Sequence, residues 1–95
     1  MIVRIVKMTF IKGKENEFLE IYSENNEFIR HFKGCTHLEL LRDKNDPTIF
    51  LTYSHWDSEN DLENYRNSEL FKKVWNKTSL LFSENASAWT TEKTC

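Results

Sequence analysis

Eight consecutive residues, Ile49, Phe50, Leu51, Thr52, Tyr53, Ser54, His55 and Trp56, constrain this chain more than any other stretch. They are rich in β-branched and aromatic side chains, and Asp57 and Ser58 end the run with helix-start chemistry. Side chains alternate between the two faces of a strand, so this one presents large groups on both sides. A strand of that kind needs cover on both faces. In 95 residues one layer of helices covers one face, and the chain has little left for the other.

The remaining elements follow from changes in period. Residues 2–10 alternate, with Val3 and Ile5 on one side and Val6, Met8 and Phe10 on the other. After the turn Lys12-Gly13-Lys14 the period lengthens. Phe18, Ile21, Tyr22, Asn25, Phe28, Ile29 and Phe32 fall at helical spacing over residues 15–32, and Gly34 is a suitable stop. Residues 35–42 and 48–56 form a hairpin across the polar turn 43–47. Asp57 or Ser58 caps a helical piece carrying Leu62 and Tyr65. Asn67-Ser68 interrupts it, and Ser68 caps a continuation with Phe71, Val74, Trp75 and Leu81 or Phe82 inward. Residues 86–93 close the chain as a last strand.

The order β-α-β-β-α-β predicts an α+β, ferredoxin-like domain over residues 1–95, with two helical segments on one face of a four-stranded antiparallel sheet. With equal parity across the hairpin, Leu38, Leu40, Phe50, Thr52, Ser54 and Trp56 share the helix-facing side. Leu41, Ile49, Leu51 and Tyr53, with Val3 and Ile5, then lie on the opposite face. At about 25 cal/mol per Å² of apolar area, leaving that face in water is unfavourable by several kcal/mol. A second copy of the chain is the expected cover, giving a homodimer through the sheet face.

Charge and composition exclude several functions. Thirteen Lys and Arg against fifteen Asp and Glu give a net charge of −2 without a basic run, so no nucleic-acid footprint is present. Arg4 and Lys7 interrupt the N-terminal apolar run, so neither a signal core nor a membrane span is expected there. Two cysteines, Cys35 and Cys95, do not make a disulfide framework, and the expected location is cytoplasmic. The two glycines form no phosphate cradle, and no nucleophile triad or paired-carboxylate motif occurs. Cys35, His37 and His55 share parity on paired strands, but three ligands without a fourth or a short-spacing motif predict no metal site.

The strand end Thr52-Tyr53-Ser54-His55-Trp56, the link Phe32-Lys33-Gly34-Cys35 and the helix from Ser68 to Trp75, in this element order, resemble the antibiotic biosynthesis monooxygenase (ABM) family of dimeric α+β barrels. The resemblance implies a pocket between helices and sheet. Some members oxidise polycyclic phenols or quinols there with O2 and no bound metal or flavin, and a second branch binds and degrades haem.

Carried over position by position, Trp56 matches the strand-end tryptophan of both branches. The haem branch needs an asparagine on the first strand and an iron-ligating histidine on the second helix. Val6 and Trp75 stand in those places, which disfavours haem. The phenol-oxidising branch has an asparagine four residues before the tryptophan, and here that residue is Thr52.

The expectation is therefore a cofactor-independent monooxygenase acting on a small aromatic, phenolic or quinol compound, or a non-catalytic dimeric binding or structural module using the same pocket. Trp56 and Thr52 are the candidate catalytic residues. Ser54, Tyr22, Tyr65, Phe71, Trp75 and Arg4 are the candidate substrate-binding residues. Trp56 is equally readable as a core residue closing the sheet, and the Tyr65, Phe71, Trp75 stripe as ordinary core.

Overall fold

The computed structural model describes residues 1–95 and contains β1 (Ile2–Thr9), α1 (Glu15–Arg30), β2 (Cys35–Arg42), β3 (Ile49–Trp56), α2 (Glu59–Arg66), α3 (Glu69–Ser79) and β4 (Ser87–Glu92). The strands form one antiparallel sheet in the order β2-β3-β1-β4. This is the expected ferredoxin-like α+β fold, and the second helical segment comprises two helices. Their break has a local cause. Ser68 Oγ donates to the Tyr65 carbonyl oxygen at 2.6 Å, ending α2, and accepts from Phe71 N–H at 3.1 Å, starting α3. No helix is long and apolar enough to cross a membrane.

The turns form for equally local reasons. Asp43 Oδ2 accepts the N–H groups of Asn45 and Asp46 at 3.0 and 2.7 Å, folding the β2–β3 connection. Ser58 caps α2 by accepting from Asp61 N–H at 3.1 Å, while its hydroxyl donates to Asp61 Oδ2 at 3.0 Å. Gly34 has φ +90°, and a Cβ there would lie 2.4 Å from Asp61 Cβ. Its carbonyl accepts from Asp57 N–H at 2.8 Å. Gly34 therefore allows the α1–β2 link to press against the start of α2, which aims the rest of α2 across the sheet.

The hairpin parity holds. Leu38, Leu40 and Arg42 stand opposite Ser54, Thr52 and Phe50, while His37, Glu39 and Leu41 stand opposite His55, Tyr53 and Leu51. One irregularity alters an expectation. Cys35 pairs with Trp56 and His37 with His55, so Thr36 is an extra residue forming a bulge. The bulge puts Cys35 level with Trp56 and out of step with the two histidines. The supposed Cys35, His37, His55 group is not formed, and only the two imidazoles meet, with ring centroids 5.0 Å apart.

Phe28 also departs from expectation, being 65% exposed. It lies roughly 80° around the helix from Phe18 at 3.6 residues per turn, at the edge of the inward stripe. Phe18 and Ile29 are buried, whereas Phe28 borders an open surface groove with Phe32 and Leu70.

The packed core sits between helices and sheet around Met8, Phe10, Phe18, Phe50 and Leu81. Phe10 and Phe18 stack at 4.4 Å, and Phe50 meets Phe18 edge-on at 5.2 Å. Beyond Met8 and Phe18 the side chains no longer fill the layer, and a cavity begins.

Candidate functional site

The floor of the cavity follows from strand register. One cross-strand row runs Leu38, Ser54, Arg4, Thr90, and the next runs Leu40, Thr52, Val6, Ala88; all of these but Thr90 and Leu40 line the cavity. The roof is helical: Phe18, Tyr22 and Ile29 from α1, Leu62, Tyr65 and Arg66 from α2, and Phe71, Val74, Trp75 and Thr78 from α3. The cavity volume is about 320 Å³, near the lower end of the roughly 300–1,000 Å³ usual for small-molecule sites. Fourteen of the nineteen lining residues are hydrophobic, so recognition falls to the few polar ones. Arg66 and Ala88 are exposed as well as lining, which marks the open side between α2 and β4.

All eight candidate residues, Trp56, Thr52, Ser54, Tyr22, Tyr65, Phe71, Trp75 and Arg4, line this one cavity. An aromatic wall connects four of them. Trp56 stacks on Tyr65 at 5.0 Å, Tyr65 meets Phe71 edge-on at 5.3 Å, and Phe71 lies nearly parallel to Trp75 at 5.7 Å.

Trp56 is only 1% exposed, and its Nε1–H donates to Ser54 Oγ at 3.0 Å. What it offers a ligand is therefore ring surface, because its polar hydrogen is already engaged. Accepting that bond leaves the Ser54 hydroxyl proton free to donate into the cavity beside Thr52.

Two lining hydroxyls are buried without any partner: Tyr22 Oη and Thr78 Oγ1. Leaving such a group unsatisfied costs about 1–3 kcal/mol, so a polar atom of a ligand or a water is the natural complement of each. Burial raises the Tyr22 phenol pKa, with Cys35 and Glu39 adding to the rise against an opposing contribution from Arg30. Burial pushes Tyr65 further in the same direction, aided by Cys35 and Tyr22. Both phenols stay protonated near neutrality and act as donors rather than bases. The Cys35 thiol is likewise raised by burial, against a hydrogen bond to the His37 backbone and the charge of Arg30.

Arg4 stands at the open side, where Nη1 donates to Thr90 Oγ1 at 2.6 Å. Its pKa is lowered by burial first and by the nearby Arg66 charge second, with Glu63 opposing. Arg66 donates to Glu63 Oε1 at 2.9 Å. None of the lining residues is Asp, Glu, His or Cys. Val6 and Trp75 both face the cavity, so the positions compared with the haem-degrading branch supply a methyl-bearing chain and an indole, neither an iron ligand.

Two polar lining residues were missed in the sequence, and for different reasons. Thr78 completes the stripe Phe71, Val74, Trp75, Thr78 at helical spacing, so the signal was present but its hydroxyl sits on an otherwise apolar face. Arg66 follows Leu62 and Tyr65 on the same side of α2, yet its approach to Arg4 depends on how α2 crosses the sheet.

Comparison with known proteins supports the same architecture. The chain resembles a crystal structure of an antibiotic biosynthesis monooxygenase with a TM-score of 0.93 at 18% identity, covering 100% of both chains. A conserved protein from Methanosarcina mazei Go1 superposes with a TM-score of 0.92 at 20% identity, over 99% of this chain and 94% of that one. Rv0793 from Mycobacterium tuberculosis gives 0.91 at 11% identity, over 99% and 95%. At such identities the likeness establishes the fold alone. No curated protein matches the sequence. The sequence profile described as antibiotic biosynthesis monooxygenase matches residues 1–77, which include every candidate residue. The chain belongs to the antibiotic biosynthesis monooxygenase (ABM) family.

Proposed function

We propose that this protein binds a small aromatic phenol or quinol in the cavity and oxidises it with O2, without a bound cofactor. The observation that carries the reading is a largely apolar, aromatic-walled cavity with two buried hydroxyls, Tyr22 and Thr78, that lack partners. A flat ring would lie along Trp56, Tyr65, Phe71 and Trp75, with Thr52 and Ser54 donating to its oxygen. An electron-rich phenolate can pass an electron to O2, so the substrate supplies the difficult chemistry and the protein supplies donors and a dry site. For an anthrone-type substrate the balance closes without another reductant. The ring CH2 loses two hydrogens, one oxygen atom becomes its carbonyl, and the other leaves as water.

A second reading, binding without turnover, is favoured by one specific observation. No lining residue is a carboxylate or imidazole that would take the phenolic proton. Incubation with naphthols, anthrones and quinols under oxygen distinguishes the two, with O2 uptake and product followed together. Oxidation consumes one O2 per carbonyl formed from an anthrone. Saturable binding with no uptake supports the second reading, and neither binding nor uptake removes both.

The same proposal includes a homodimer through the outer sheet face, on which Leu41 and Trp89 are 45% and 49% exposed beside Leu51 and Ile5. It also includes a reducing cytoplasmic setting, supported by the free thiols of Cys35 and Cys95.

A further inference from the structure

We propose that the ligand of this cavity is a ring-bearing monoanion, an aromatic carboxylate that also carries a hydroxyl or carbonyl, its carboxylate held by Arg4 and Arg66 at the open side and its neutral oxygen by hydroxyls of the lining, among them the unpartnered Tyr22 and Thr78. The inference rests on the aromatic-ligand reading of the cavity and adds to it the charge of the ligand.

The open side carries a positive charge with nothing to match it. Arg4 comes from the sheet floor and Arg66 from α2, and both line the cavity. Arg4 spends one bond on the neutral Thr90 hydroxyl. Glu63 is the one carboxylate whose field reaches Arg4, and it is already hydrogen-bonded to Arg66. It neutralises one of the two guanidiniums and leaves the other uncompensated. Two cations brought together at a partly buried site repel each other, and an anion between them relieves that repulsion. The site takes one negative charge rather than two, which favours a carboxylate over a phosphate dianion. A guanidinium presents paired N–H groups that fit a carboxylate in two-point contact.

The two unpartnered hydroxyls have the opposite character. Thr78 is 2% exposed and Tyr22 Oη is buried, and neither has a partner. Both are hydroxyls, each able to donate and to accept, so they suit a neutral hydroxyl or carbonyl rather than a second charge. Apart from these groups and the Thr52 and Ser54 hydroxyls the lining is apolar and aromatic. A ligand matching this lining carries one charged group and a separate neutral oxygen on a flat hydrophobic body, which suits one or two fused rings.

The test uses 6-hydroxy-2-naphthoate, with its uncharged amide and 2-naphthol as comparators, and calorimetry on the full chain at pH 7. The naphthoate is expected to bind about tenfold or more tightly than the amide at low ionic strength. That ratio should shrink as salt is added. Arg66→Gln alters an exposed residue of α2 and should bring the ratio towards one. Arg4→Gln should do the same, with circular dichroism confirming that both variants are folded. If 2-naphthol binds but the acid binds no better than the amide, or the ratio persists in both variants, the anion inference is overturned and the aromatic cavity stands. If none of the three probes binds, the cavity reading fails as well.

Discussion

At the scale of single residues, the Trp56–Ser54 pair decides what the end of β3 can do. Trp56 is the side chain that most invites a catalytic assignment, yet its indole N–H is directed into Ser54 within the fold. Replacing Ser54 by Ala leaves a buried donor unsatisfied and should lower stability by about 1–3 kcal/mol. Urea unfolding measures this directly. The same substitution in a Trp56→Phe background removes no partner and should cost distinctly less, giving a positive coupling in the double-mutant cycle. Equal costs in the two backgrounds would show that the hydrogen bond does not matter to the fold.

Side-chain placement of this kind was legible from local periods. Alternation put Thr52, Ser54 and Trp56 on one face, and helical spacing put Tyr65, Phe71 and Trp75 opposite them. Interactions between elements were not legible. Nothing in the order of residues announces that Ser54 satisfies Trp56, that the Arg66 charge acts on Arg4, or that a bulge at Thr36 puts Cys35 out of step with the imidazoles of His37 and His55.

At the scale of elements, the cavity exists because α2 and α3 are separate helices. Ser68 ends one and begins the other, so Tyr65 and Phe71 meet edge-on instead of continuing a single straight stripe. The sequence showed the break at Asn67-Ser68 because cap chemistry is local. It did not show Phe28 at the stripe's edge, because which flank of α1 is covered depends on the line taken by α3. Gly34 sets the other boundary of this arrangement. Its positive φ and the space taken by Asp61 both exclude a side chain. Gly34→Ala should therefore destabilise the domain by more than about 1 kcal/mol, with α2 shifting away from the sheet. Aromatic ligand affinity should fall with it, since Leu62, Tyr65 and Arg66 move as a unit. A variant with normal stability and normal binding would show that the contact between Gly34 and α2 does not position the cavity roof.

At the scale of the whole molecule, the two faces of the sheet pose different problems. The inner face is covered by three helices, and the cavity there is small beside the layer that packs. The outer face has no element of its own chain above it, although Leu51 stands between Leu41 and Lys7, and Tyr53 between Glu39 and Ile5. Fully covering a Leu or Ile is worth roughly 1.5–3 kcal/mol, so several such residues favour association once their positions match across an interface. A two-fold related copy supplies the same apolar patch to itself, which makes a closed dimer a sufficient solution. We expect sedimentation at micromolar concentration to give twice the 11.4 kDa chain mass. Leu51→Glu places a charge in the middle of that face and should yield a folded monomer. Because β3 carries Leu51 outward and Thr52 and Ser54 inward, the monomer also tests whether the cavity depends on the partner. Ligand affinity retained in a folded L51E monomer would assign the site to one chain, and affinity lost would mean that pairing of the sheets holds β3 in its binding geometry. A wild-type chain that sediments as a monomer would instead show that the outer face tolerates water, and the dimer would have to be abandoned.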